Sequence, residues 1–298
     1  MANESIVVIL GPTAVGKSAL GISLAKRYRG EIISGDSLQV YRQLDIGTAK
    51  VTPSVQEGIP HHLIDIRDID RGFSAYDFVQ EASQLITAIT SRKRLPIIVG
   101  GTGLYLQSLL EGYHLGGSDN HVAMQDYRKE LADKGLEELA QMASEAGITV
   151  DTKNPRRLMR ALEIARYGNT LQNKQTAYKT LIIGLTEERQ VLYDRINQRV
   201  EAMVGQGLLD EARFLYENYP DSQASLGIGY REFFPYFAGK IALDEAIAKV
   251  KQDTRRFAKR QMTWFRNRMT VDFYVVSDPM SMDRIYEKVE AFLGENTY

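Results

Sequence analysis

Ile6-Val7-Val8-Ile9-Leu10, followed at once by Gly11-Pro12-Thr13-Ala14-Val15-Gly16-Lys17-Ser18, decides the fold. The apolar run reads as a buried strand closed by a glycine turn. The eight residues after it match the pattern of a phosphate-binding P-loop. From Ser18 to Tyr28 the spacing turns helical, with Leu20, Leu24 and Ala25 on one face. A strand before and a helix after are the context that such a loop requires. Its glycines let backbone amides turn inward, and the helix start adds positive potential for an anion. Lys17 adds a mobile positive charge, and the Ser18 hydroxyl can hold Mg²⁺. The loop announces a bound di- or triphosphate and says nothing of the reaction.

Outward from this stretch, apolar strands alternate with amphipathic helices. Glu31 to Ser34 and Pro96 to Val99 read as strands, and Phe73 to Arg92 has helical spacing. That alternation predicts a parallel sheet covered on both faces. After Gly112 the texture changes: Gly116-Gly117-Ser118 reads as a hinge, and Val122 to Tyr167 is helical and rich in charge. Leu181 to Leu185 returns to the sheet, long helices follow over Glu187 to Tyr216 and Leu243 to Arg268, and Val271 to Val276 is a late strand before a last helix over Met282 to Leu293. The fold class expected is α/β. A P-loop NTPase-like core, residues 1–113 and 180–298, carries a mostly helical insertion, residues 114–179.

Composition sets bounds on function. Of 298 residues, 44% are hydrophobic and 25% charged, ordinary for a globular chain. The five-residue apolar run is too short to span a bilayer and has no basic lead-in, so neither a signal peptide nor a membrane anchor is expected. No cysteine is present, which excludes disulfides, thiolate zinc sites and a cysteine nucleophile, and fits the cytoplasm. His61, His62, His114 and His121 show no metal-ligand spacing.

Net charge is -1, so a nucleic-acid partner has to be argued from clustering. Lys153, Arg156, Arg157, Arg160 and Arg166 face one acid, Glu163, within their stretch. Lys251, Arg255, Arg256, Lys259, Arg260, Arg266 and Arg268 face one acid, Asp253, and the same stretch holds Trp264 and Phe265. Such helices can track a polyanion, or can simply be solvated faces. Asp36 is the carboxylate nearest a strand end beside the P-loop, and it reads equally as a functional group or as an Asx-turn.

Several further segments, with the P-loop, resemble the bacterial type of the tRNA dimethylallyltransferase (tRNA isopentenyltransferase) family. They are residues 33–41 (ISGDSLQVY), 45–50 (DIGTAK), 61–65 (HHLID), 100–105 (GGTGLY), 156–163 (RRLMRALE), 228–232 (IGYRE) and 259–266 (KRQMTWFR). They run in the family's order along nearly the whole chain. The lead-in from Thr149 to Pro155 departs from the bacterial pattern.

The resemblance implies transfer of a dimethylallyl group from dimethylallyl diphosphate to the exocyclic N6 amine of the adenosine 3′ of the anticodon. Gly11, Pro12, Thr13, Ala14, Val15, Gly16, Lys17 and Ser18 would hold the pyrophosphate, with Mg²⁺ on Ser18. Asp36 would be the general base, Lys17 would neutralise the leaving group, and Thr13 would donate to the bridging oxygen. Thr102 would line the channel that takes the flipped base. Contacts to the anticodon stem-loop would come from Asp36, Ser37, Leu38, Gln39, Arg156, Arg157, Arg160, Leu226, Gly229, Tyr230 and Arg231. Lys259, Arg260, Gln261, Thr263, Trp264 and Arg266 would complete them. A monomer is expected. The alternative from another class is a small-molecule P-loop kinase, with ATP in the cradle and Asp36 as base for a hydroxyl. A nucleotide-gated RNA-binding protein without catalysis is a third.

Overall fold

The computed structural model describes residues 4–113, 121–150, 154–167 and 178–294. The chain divides into two compact units, one of Met1–Leu110 with Ala177–Tyr298, the other of Glu111–Thr176. The expected hinge at Gly116-Gly117-Ser118 and the cation Lys153 lie outside the described residues.

The larger unit opens with β1 (Glu4–Leu10), α1 (Lys17–Tyr28), β2 (Gly30–Gly35), the short α2 (Pro53–Gln56) and β3 (His61–His62). Next come α3 (Ala75–Ser91), β4 (Leu95–Gly100) and α4 (Gly103–Glu111). The smaller unit holds α5 (His121–Ala132), α6 (Leu136–Glu145) and α7 (Pro155–Tyr167). The larger unit resumes with β5 (Tyr178–Thr186), α8 (Arg189–Gly205), α9 (Leu208–Asn218), α10 (Phe234–Phe237), α11 (Leu243–Arg268), β6 (Asp272–Val275) and α12 (Ser281–Gly294).

The strands form one six-stranded parallel sheet in the order β3-β2-β4-β1-β5-β6. Side chains alternate across it. Ile6, Val8 and Leu10 join Phe78, Ile86, Leu106 and Phe265 on one face, while Val7 and Ile9 join Leu24, Ile196 and Val289 on the other. Each such side chain, fully buried, adds about 1.5–3 kcal/mol relative to exposure. β1 is therefore an anchor for the loop that leaves it. Helix α3 starts at a reciprocal cap, with the Ser74 hydroxyl accepting from the Asp77 amide and the Asp77 carboxylate accepting from the Ser74 amide.

The sequence pattern predicts one helix from Glu187 to Tyr216, and the structure breaks it between α8 and α9. Gly207 takes φ 108, a left-handed conformation open to glycine without steric cost. The restart sets Glu211 of α9 beside residues 45–47, where it accepts the Asp45, Ile46 and Gly47 amides at 2.8, 3.0 and 2.9 Å.

In the smaller unit Tyr127, Leu131, Leu139, Ala143, Leu158 and Leu162 form a separate core. Glu163 is buried there and takes a bidentate pair from Arg128 at 2.5 and 2.7 Å, plus Arg160 at 3.1 Å. Among the described residues no helix is long and apolar enough to cross a membrane.

Candidate active site

Sheet register brings three loops level. Leu10 and Gly35 both pair with Gly100, so the loops leaving β1, β2 and β4 emerge side by side. That is the carboxyl edge of the sheet, where open α/β folds bind ligands.

After β1 the chain turns through Gly11 at φ 151, Ala14 at φ 63 and Gly16 at φ 104 into α1. No acid stands in the first turn of α1, so the positive helix end is not offset. Val15 is buried, and Ser18 is exposed. Lys17 Nζ donates to the Pro12 carbonyl at 2.7 Å. Burial pulls its pKa down to about 8, against the pull of the Asp36 carboxylate upward, with Arg199 adding a small push down. The Thr13 amide donates to Gln261 Oε1 at 2.9 Å, and Thr13 Oγ1 makes no hydrogen bond among the described residues.

Asp36 follows β2 directly. Its Oδ1 accepts the Leu38 amide at 2.8 Å and the Gln39 amide at 3.3 Å. The Asx-turn alternative is thus realised, and it fixes the carboxylate rather than using it up: Oδ2 makes no hydrogen bond among the described residues. Thr102, after β4, accepts the Ser37 amide on Oγ1 at 3.2 Å and donates its own amide to the Gly35 carbonyl at 3.3 Å. Asp36 is felt by two cations, Lys17 and Arg199 of α8. Burial lowers the Arg199 pKa, and Asp36 raises it in part. Loop, carboxylate and two cations therefore share one electrostatic site.

Some residues read as RNA contacts are committed inside the protein. Gln39 accepts from Ser34 Oγ at 2.8 Å and donates to the Thr48 carbonyl at 3.1 Å. Tyr230 is fully buried, lies against Gly47 and donates its hydroxyl to Glu211 at 2.5 Å. Gln261 is 6% exposed and uses both ends of its amide internally. The Trp264 ring lies against Gly103, with Arg268 stacked 4.6 Å from its centroid, and its Nε1 is buried without a partner among the described residues. Gly229 takes φ 100 and donates its amide to Glu232 at 2.8 Å, whereas Arg231 stays exposed while pairing with the same carboxylate at 2.9 Å. Leu38 packs on the core, and Leu226 is 49% exposed.

The cations divide. Lys251 pairs with Glu201, Arg255 with Asn197 and Arg256 with Asp253, all at 3.2 Å or less. Lys259, Arg260, Thr263 and Arg266 are exposed, and the three cations among them have no carboxylate partner among the described residues. In the smaller unit Arg156 and Arg157 are exposed, while Arg160 is tied to Glu163. His62 Nε2 lies 2.7 Å from Glu31, at the β3 edge of the sheet.

Sequence reasoning missed Arg199 and Glu211. Arg199 is one of three arginines in a helix of mixed charge, and Glu211 acts across 164 positions or more on the 45–47 loop. The resemblance makes Gln261 a tRNA contact, although its spacing carries the signal of burial: it follows Ala258 by three residues and precedes Phe265 by four, which puts it on the buried face of α11.

A model of the IPP transferase family matches residues 39–268. A tRNA dimethylallyltransferase of Streptococcus suis (strain 05ZYH33) is 59% identical over 290 residues, 97% of this chain and 99% of that one. One of Streptococcus pyogenes serotype M49 (strain NZ131) is 59% identical over 295 residues, 99% of each. Among solved structures, the tRNA isopentenylpyrophosphate transferase of Bacillus halodurans aligns at TM-score 0.77 and 42% identity, covering 98% of this chain and 97% of that one. A eukaryotic dimethylallyltransferase acting on tRNA aligns at TM-score 0.81 and 26% identity over 98% of this chain and 80% of its own. By the span of the family match and the completeness of these alignments, the chain belongs to the IPP transferase family.

Proposed function

We propose that this enzyme transfers a dimethylallyl group from dimethylallyl diphosphate to the exocyclic N6 amine of the adenosine 3′ of the anticodon in tRNA. Pyrophosphate leaves. The observation that carries the proposal is the gathering of the P-loop, Asp36, Lys17 and Arg199 at one edge of the sheet.

The reaction forms a bond from N6 to the allylic carbon and breaks the bond from that carbon to the diphosphate. Asp36 takes the N6 proton, with its Asx-turn holding the carboxylate in place. The electron pair of the broken bond goes to the bridging oxygen, where Thr13 Oγ1 donates. The amides of residues 14–18 hold the phosphates, and Lys17 and Arg199 oppose their charge. An arriving diphosphate favours the charged form of Lys17.

Among the described residues no group of three or more His, Cys, Asp or Glu side chains gathers for a metal. The donor set fits Mg²⁺ held mainly by substrate phosphates, with the exposed Ser18 hydroxyl as a protein ligand. When bound, Mg²⁺ offsets charge on the leaving pyrophosphate.

The tRNA contacts favoured by exposure are Arg156, Arg157 and Leu226, with Arg231, Lys259, Arg260, Thr263 and Arg266. Ser37, Gln39 and Thr102 shape the base pocket around Asp36. The cytoplasm, which holds the tRNA, is the place of action. A kinase reading is not favoured, since the relatives at 59% identity are named for tRNA prenylation.

Pyrophosphate release tests the proposal, with tRNA, AMP or water as acceptor. Release should require both dimethylallyl diphosphate and tRNA. Turnover of ATP onto a small acceptor, with none from dimethylallyl diphosphate, contradicts it.

A further inference from the structure

Helix α11 reaches into the P-loop through one side chain. Gln261 Oε1 accepts the Thr13 amide at 2.9 Å, and Gln261 Nε2 donates to the Gly101 carbonyl at 2.9 Å. The residues bridged are 248 and 160 positions away in sequence. The amide is buried, and no other side chain hydrogen-bonds either backbone group among the described residues. Close approach also dictates the residue on the β4 side. A Cβ at position 101 would lie 2.3 Å from Gln261 Nε2.

This bridge changes what the P-loop offers. Loops of this kind turn their amides toward phosphate, yet the Thr13 amide points to Gln261. The amides left for phosphate are those further along the loop. Thr13 is held by its backbone, and its hydroxyl keeps no partner among the described residues. A side-chain hydroxyl on a backbone fixed at both the loop and β4 loses little freedom when it meets the leaving oxygen.

We propose that Gln261 is a positioning residue that clamps the Thr13 backbone to the β4 loop and so aims the Thr13 hydroxyl at the bridging oxygen of the diphosphate. It acts through Thr13 and touches no substrate. The claim rests on the function proposed above and deepens it. It also removes Gln261 from the surface that meets RNA.

The test uses four full-length proteins: wild type, Thr13→Ala, Gln261→Met and the double variant. Met matches Gln in length and makes neither hydrogen bond. Single-turnover transfer is measured at saturating dimethylallyl diphosphate and tRNA, with tRNA affinity measured separately. Gln261→Met should slow transfer about tenfold to a hundredfold, the scale of a small misplacement at a reacting centre. Its tRNA Kd should stay within about twofold of wild type. The double variant should be no slower than the slower single variant by more than about twofold, because both changes remove one function. Gln261→Glu keeps the acceptor for Thr13 and loses the donor to Gly101, so its kcat should exceed that of Gln261→Met while its KM for the diphosphate rises by charge repulsion. Losses that multiply overturn the proposal. So does weakened tRNA binding with kcat intact, a Thr13→Ala variant at wild-type rate, or a Gln261→Glu kcat at or below that of Gln261→Met. Wild-type turnover separates the two claims. No transfer by wild type sinks the function alone, and the clamp is then judged from pyrophosphate affinity of the same proteins by the same rule of non-additivity.

Discussion

The Ser37 amide donates to Thr102 Oγ1 at 3.2 Å, tying the loop after β2 to the turn after β4. Asp36 stands one residue before that tie and caps the amides of Leu38 and Gln39 with Oδ1. The carboxylate is thus held from both sides, with Lys17 and Arg199 in its field.

Asn and Ala at position 36 should therefore differ. Asp36→Asn keeps an oxygen for the Leu38 amide and loses the base. It should fold, bind tRNA as wild type does, and turn over about 10²–10⁴-fold more slowly. Asp36→Ala should lose the turn as well and show a lower Tm than Asp36→Asn. An Asp36→Asn variant within a few-fold of wild-type kcat removes Asp36 from the mechanism.

Lys17 sets a pH dependence. With its pKa near 8 in the folded chain, the amine is charged below that pH and neutral above it. Only the charged form attracts the diphosphate, so affinity is retained below about pH 7 and lost as pH rises through 8. One linked proton weakens binding by up to about tenfold per pH unit there. Calorimetric titration from pH 6.5 to 9.5 measures it. The alkaline loss should vanish in Lys17→Ala, which binds weakly throughout. An alkaline loss of the same size in both proteins assigns the titration elsewhere.

Glu211 gathers the amides of Asp45, Ile46 and Gly47 and the Tyr230 hydroxyl. Bonds to a charged acceptor contribute about 1.5–3 kcal/mol each at most, and a buried phenol left unpaired adds a cost of similar size. Glu211→Ala should lower stability by about 2 kcal/mol or more in chemical denaturation. Gln39 donates to the Thr48 and Ala49 carbonyls just beyond this loop, so turnover should fall too, with tRNA affinity less affected. Unchanged stability would show that the loop holds without its anchor.

The exposed cations give a graded expectation. Neutralising Lys259, Arg260 or Arg156 should weaken tRNA binding, leave dimethylallyl diphosphate affinity nearly intact, and reduce the slope of log K against log salt by about 0.7–0.9 each. Arg160 already pairs with Glu163, so its loss should change the slope less. Titrations at several salt concentrations decide this. Unchanged affinity and slope in all four variants return these stretches to ordinary solvated helix faces.

The legible part of this protein was local. A strand, a glycine turn and a helix start lie within about thirteen residues, so the P-loop and its sheet could be read directly. The place of Asp36 at the sheet's carboxyl edge was legible because it follows a strand by one residue. What escaped depends on tertiary approach. Arg199 reaches the site from a helix of mixed charge, and Glu211 reaches the 45–47 loop because Gly207 restarts that helix. Gln261, Tyr230 and Gln39 lie in motifs that resemblance ties to RNA, and in the fold their polar groups serve protein partners. A motif marks where a family keeps its chemistry. Burial and hydrogen bonding decide which of its residues hold substrate and which hold the others.

Nucleoside analysis of unmodified tRNA incubated with the enzyme and labelled dimethylallyl diphosphate tests the central claim most directly. The label should appear in one adenosine, on N6, 3′ of the anticodon, with one pyrophosphate released per label incorporated. It should be absent with Asp36→Asn on the same timescale. Label absent from the RNA, or spread over adenosines outside the anticodon loop, contradicts the account.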